Sequence, residues 1–144
     1  MARLRESVVT LRIGGDDLVP EEITKLLGTA PTHAQTKGEK IVGKKTGTIT
    51  IAKAGLWRLS AANREPEDMN GQIHEILSQT TNDLAVWKNI TARYWVDLYC
   101  GLFLGVSNEG LVLSPVSLAA LGKRGIELAL DIYSGYDDDD DKSA

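Results

Sequence analysis

Tyr94-Trp95-Val96-Asp97-Leu98-Tyr99-Cys100-Gly101-Leu102-Phe103-Leu104 is the stretch that decides how this 144-residue chain folds. Successive side chains of a strand point to opposite faces. Val96, Leu98, Cys100 and Leu102 fill one face here, and Trp95, Tyr99 and Phe103 make the other largely apolar. A strand that is apolar on both sides belongs in a central position in a sheet. Asp97 breaks that pattern, and a carboxylate in such a place needs a partner.

Further strands surround this one. Residues 8–13 set Val9, Leu11 and Ile13 against Val8, Thr10 and Arg12, the alternation of a half-buried strand. Ile126, Leu128, Leu130 and Ile132 alternate in the same way, and residues 48–52, 55–60 and 110–113 read as shorter strands. Residues 31–47 read as irregular. Short helices lie between the strands. Pro20 suits a first helical position, Glu21 and Glu22 suit its amino-terminal dipole, and Gly28 suits the stop. Pro66, Glu67 and Asp68 open a second helix, whose Met69, Ile73, Ile76 and Leu77 share one face. A third covers about 83–91, and Ser114-Pro115 starts a fourth, with Gly122 near its end.

The expected architecture is α+β. It is a single domain over residues 1–134 with an antiparallel or mixed sheet, and its Pro-initiated helices pack mainly on one face. Leu18-Val19-Pro20 with Leu26-Leu27-Gly28 echoes Leu113-Ser114-Pro115 with Ala120-Leu121-Gly122. A duplicated strand–helix unit and convergence on the same capping chemistry both account for that echo.

Composition narrows the function classes. The chain is 42% hydrophobic and 25% charged, which is ordinary for a globular protein. Its net charge of −4 comes from one place: Asp137 to Asp141 followed by Lys142. Without those six residues, fifteen acidic face fifteen basic side chains, so overall charge points to no partner. Residues 135–144 read as a disordered acidic tail, because adjacent carboxylates repel and nothing apolar offsets the ordering entropy. Such a run ending in Lys matches both a native solvated tail and an engineered cleavage sequence. A single cysteine, Cys100, excludes an intramolecular disulfide and fits a cytoplasmic setting. No apolar run is long enough for a membrane span.

Several partial motifs lack their required context. Gly38-x-x-x-x-Gly43-Lys44 approaches a phosphate loop, but Lys45 replaces the magnesium-holding Ser or Thr and an alternating strand follows instead of a helix. Gly14-Gly15-Asp16-Asp17 resembles the turn of signalling nucleotide cyclases, but no Glu-Phe follows it. His33, His74 and Cys100 show no metal-ligand spacing, so neither a metal site nor a cofactor is expected. Lys37, Lys40, Lys44, Lys45 and Lys53 face only Glu39 between them and form a basic surface hairpin. Without aromatic platforms or a reading helix, that charge does not indicate nucleic acid.

The candidate site is a group of polar and aromatic residues on strands. Arg12, Asp97 and Asp131 interrupt strand patterns, and Arg58 follows Trp57. In one reading these charges face water on an open side of the sheet, with Arg12 or Arg58 neutralising Asp97 or Asp131. In the other, Trp57, Trp95, Tyr99 and Tyr133 wall a ligand groove around an Arg–Asp centre.

Gly15-Asp16-Asp17-Leu18, Pro20-x-x-Ile23-Thr24-x-x-Leu27-Gly28, Pro31, Lys37-Gly38, Gly55-Leu56-Trp57-x-Leu59-Ser60 and Leu130-Asp131-Ile132-Tyr133 form a pattern across residues 7–133. It resembles a bacterial family of small proteins known as a domain of unknown function (number forty-two seventy-nine). The resemblance implies a compact α+β domain that includes Trp57 and Asp131-Ile132-Tyr133 and an accessory or immunity-like role, and it brings no established catalytic residues with it. The functional expectation is a non-enzymatic cytoplasmic binding protein for another protein or a small molecule. The alternative is a small hydrolase or transferase using the strand carboxylates. The sequence assigns no oligomeric state.

Overall fold

The computed structural model describes residues 4–134; the expected acidic tail lies outside the described residues. The chain runs β1 (Glu6–Gly15), α1 (Pro20–Leu27), β2 (His33–Gln35), β3 (Lys40–Val42), β4 (Ile49–Ile51), β5 (Gly55–Ser60), α2 (Met69–Leu77), α3 (Leu84–Arg93), β6 (Trp95–Phe103), α4 (Pro115–Arg124) and β7 (Glu127–Tyr133). Five strands form a mixed sheet in the order β2-β5-β1-β6-β7, and β3 pairs with β4 in a separate hairpin. Three of the four pairings are antiparallel; β6 and β7 are parallel, joined through α4. The doubly apolar strand is β6, and it sits inside the sheet between β1 and β7. The middle strand is β1.

One sheet face holds the core. Val9, Leu11 and Ile13 of β1, Trp57 and Leu59 of β5, and Val96, Leu98, Cys100 and Leu102 of β6 are buried there. The helices cover them with Ile23 and Leu27, Ile73 and Ile76, Trp87 and Ile90, and Leu121. Polar groups inside this layer are bonded. Trp57 Nε1 donates to Thr24 Oγ1 at 3.1 Å, and the fully buried Gln72 gives Nε2 to Ser7 O and Ala62 O at 2.8 and 3.0 Å.

Capping chemistry places the helix ends. Pro20 starts α1, and Gly28 ends it at φ +80°, a conformation that glycine adopts without a Cβ penalty. The second helix begins at Met69, not Pro66, because the Asp68 side chain accepts the Gly71 N–H and acts as the cap. Asp83 and Ser114 cap α3 and α4 in the same way.

Three readings need correction. Residues 110–113 form no strand; Asn70 on α2 holds this segment by bonding Val112 O and Ser114 N. Gly122 lies within α4, which runs on to Arg124 and stops at Gly125, φ +71°. The segment 31–47 holds two short strands, β2 and β3. The apparent repeat thus loses its second strand and its second stop. α1 leads to strands antiparallel to β1, whereas α4 links the parallel pair β6 and β7.

Candidate functional site

The sheet's other face carries the alternate residues. Cα register places His33 opposite Arg58, Arg58 opposite Arg12, Arg12 opposite Asp97, and Asp97 opposite Glu127. One row of ionisable side chains therefore crosses all five strands. Asp131 and Tyr133 of β7 and Tyr99 of β6 lie on the same face, as alternation from that row requires.

Within the row, Arg12 and Asp97 form a bidentate pair: Nε to Oδ1 at 2.8 Å and Nη2 to Oδ2 at 2.6 Å. The guanidinium also lies 4.9 Å from the Trp95 ring centre and 4.7 Å from that of Tyr99. Planar cations bind aromatic faces in this way. The hydrogen bonds to Asp97 raise the Arg12 pKa, and Asp97 is only 3% exposed. Its carboxylate is spoken for.

Asp131 is held differently. Its Oδ2 accepts the hydroxyls of Tyr99 and Tyr133, each at 2.7 Å. These bonds, Tyr133 first, hold the Asp131 carboxyl below its ordinary range, and the bond to Asp131 raises the Tyr99 hydroxyl well above its own. Tyr133 in turn stacks on Phe103, with ring centres 4.7 Å apart. Both open-face carboxylates named from the sequence are therefore already engaged.

Among the described residues, Arg58 has no such partner. Its Nε is buried without a hydrogen bond, although Arg12 sits directly opposite and His33 lies on its other side. Beside this row opens a cavity of about 450 Å³ lined by Gly14, Gln35, Lys53, Leu56 and Trp95, among others. Gln35, Leu56, Gly14 and Trp95 are the next row of the same face. Gly14 forms the floor: a Cβ there would come within 3.2 Å of the Trp95 ring. Trp95 remains 45% exposed.

The structure thus gathers Arg12, Arg58, Trp95, Asp97, Tyr99, Asp131 and Tyr133 on one surface. It does not bring Trp57 there. That residue is fully buried on the opposite face, because Gly55, Trp57 and Leu59 alternate inward. Phe103, Gly14 and Lys53 were not singled out for the site; nothing in the sequence marks Gly14 as a floor until Trp95 is paired with it. Lys37, Lys40, Lys44, Lys45 and Lys53 are all exposed. Lys37 reaches Asp16 at 3.7 Å, Lys40 is on β3, Lys44 and Lys45 are in the turn, and Lys53 rims the cavity. Cys100 faces the core, where burial pushes its thiol up to about 12, and both histidines are exposed. Among the described residues, no cluster of three or more His, Cys, Asp or Glu could hold a metal ion, and no helix is long and apolar enough to cross a membrane.

Leu18, Ile23, Leu27, Trp57 and Leu59, drawn from the scattered pattern in the sequence, all lie in the core. The pattern therefore describes mainly a scaffold, with Leu56, Ser60, Asp131 and Tyr133 among its members on the open face. No curated protein and no solved structure matches the chain. A family model does, over residues 5–135, and the chain belongs to the family described as Domain of unknown function (DUF4279).

Proposed function

We propose that this is a non-enzymatic binding protein that receives an anionic group of a small molecule or protein side chain on the open sheet face, between Arg58 and Trp95. The observation that carries the reading is the Arg58–Arg12 pair. Like charges directly opposite on neighbouring strands are destabilising. Asp97 compensates Arg12, while Arg58 keeps a buried Nε with no acceptor among the described residues. An anion bound there supplies the missing charge, and the exposed Trp95 ring with Leu56 offers an apolar surface to the rest of the ligand.

The alternative of a hydrolase or transferase has less behind it. That reading casts a strand carboxylate as general base or nucleophile, and a carboxylate in either role must be free to act. Asp97 is ion-paired, Asp131 takes two tyrosine hydroxyls, and the Cys100 thiol is buried.

Trp57 and Trp87 are buried and Trp95 is exposed, so tryptophan quenching reports on this face. Titration with benzoate, an aromatic carboxylate, is expected to give a saturable signal that Arg58→Gln abolishes and that neutral benzyl alcohol does not reproduce. A response that never saturates, or one unchanged in Arg58→Gln, removes the proposal.

A further inference from the structure

The two edges of the main sheet differ. One edge, β2, has three residues and is blunted by its shortness. The other, β7, is seven residues long, Glu-Leu-Ala-Leu-Asp-Ile-Tyr, with no Pro and no Lys. Native edge strands are usually protected by such residues, by bulges or by a cover. Among the described residues, nothing pairs with the outer side of β7. Its core-side residues Leu130 and Ile132 stay 47% and 59% exposed.

The direction of the free peptide groups follows from one bond. Tyr133 O accepts the Leu104 N–H, so Tyr133 turns its peptide groups inward toward β6. Alternation then turns those of Asp131, Ala129 and Glu127 inward as well, and those of Leu128, Leu130 and Ile132 outward.

We propose that β7 pairs antiparallel with β7 of a second copy of this chain, with Leu130 on the two-fold axis. The edge is self-complementary in this register and not in its neighbours. Leu130 meets Leu130, Leu128 meets Ile132, Ala129 meets Asp131, and Glu127 meets Tyr133. All outward-facing peptides come into register, giving roughly six main-chain hydrogen bonds, two per closely spaced pair. Apolar side chains meet only apolar ones on the core side. A shift that puts Ala129 on the axis sets Glu127 against Asp131, and a shift to Asp131 sets that carboxylate against itself; both oppose like charges. The proposal stands independently of the anion site, which lies toward β5 and β1.

Sedimentation equilibrium of the full chain from micromolar to millimolar concentration tests it, with the weight-average mass expected to rise toward twice the monomer value. Leu130→Pro removes only an outward N–H, and Leu130→Lys adds a charge at the axis; both are expected to stay monomeric with unchanged circular dichroism. Leu130→Cys is expected to form a disulfide-linked dimer under mild oxidation, whereas Val112→Cys, more exposed but off the strand, is not. A wild type that stays monomeric at every concentration overturns the proposal. So does a dimer that persists in both the Pro and Lys variants, or a Leu130→Cys protein that fails to cross-link.

Discussion

Asp97 and Arg12 stand directly opposite one another on β6 and β1 and share two hydrogen bonds of 2.8 and 2.6 Å. The carboxylate is almost fully covered, while the arginine side chain keeps 30% of its surface exposed. Removing one partner of a fully buried pair costs about 3–5 kcal/mol, because the other charge is left uncompensated. With the arginine partly solvated, Asp97→Asn is expected to lose about 1–3 kcal/mol, below that limit. Urea unfolding of Asp97→Asn, Arg12→Gln and the double variant measures the coupling. Additive losses would mean that the two residues do not interact energetically.

The two tyrosine hydroxyls on Asp131 set a pH dependence. A carboxyl whose folded pKa is lowered adds stability above its unfolded value, and that stability fades as pH falls through the folded value. Tyr133→Phe is expected to raise the Asp131 pKa toward the ordinary aspartate value, with Tyr99→Phe adding to the effect. Carboxyl carbon shifts followed by NMR from neutral to acid pH give the value directly. An Asp131 titration identical in the double Phe variant would refute the bonding scheme.

Gln72 links α2 to β1 and to the chain after β5 through Ser7 and Ala62. Gln72→Leu roughly keeps the volume and leaves the buried Ser7 hydroxyl without its acceptor, while Ser7 O still accepts the Arg64 N–H and Ser7 Oγ the Asp68 N–H. A buried donor left so costs about 1–3 kcal/mol. The thermal midpoint of this variant is expected to fall, whereas that of the exposed Gln79→Leu is not.

Gly55 sits where β5 passes the chain before α1. A Cβ there would lie 2.5 Å from Leu18 O, which is backbone and cannot step aside alone. Gly55→Ala is expected to lose about 1–3 kcal/mol by overpacking, as extra methyl groups do in packed sites. Gly122→Ala, with open space around it, is expected to match or exceed the wild type, since alanine favours a helix interior. Denaturant midpoints of the two variants should move in opposite directions.

The hairpin of β3 and β4 exposes Val42, Ile49 and Ile51 to 61% each beside Lys40, Lys44 and Lys45. Since it forms a sheet of its own, Lys44→Glu with Lys45→Glu is expected to leave stability within about 0.5 kcal/mol of wild type. A larger drop on thermal melting would show that these lysines support the main domain.

Local chemistry was legible in the sequence by itself. Alternation along β1, β5, β6 and β7, proline entry to α1, Ser114 at the start of α4 and the doubly apolar character of β6 each depend on neighbours within a few residues. Side-chain period and capping bonds are set at that range. Even there, Asp68 displaced Pro66 as the effective start of α2, and residues 110–113 lost their strand to two bonds from Asn70. Only the tertiary structure decided which charges meet. Arg12, Arg58 and Asp97 come from positions dozens of residues apart, and their row exists because register aligns three strands at once. A one-residue slip would have turned every one of them to the other face. For the same reason Trp57, beside Arg58 in the chain, ended in the core, and Gly14 became the floor beneath Trp95.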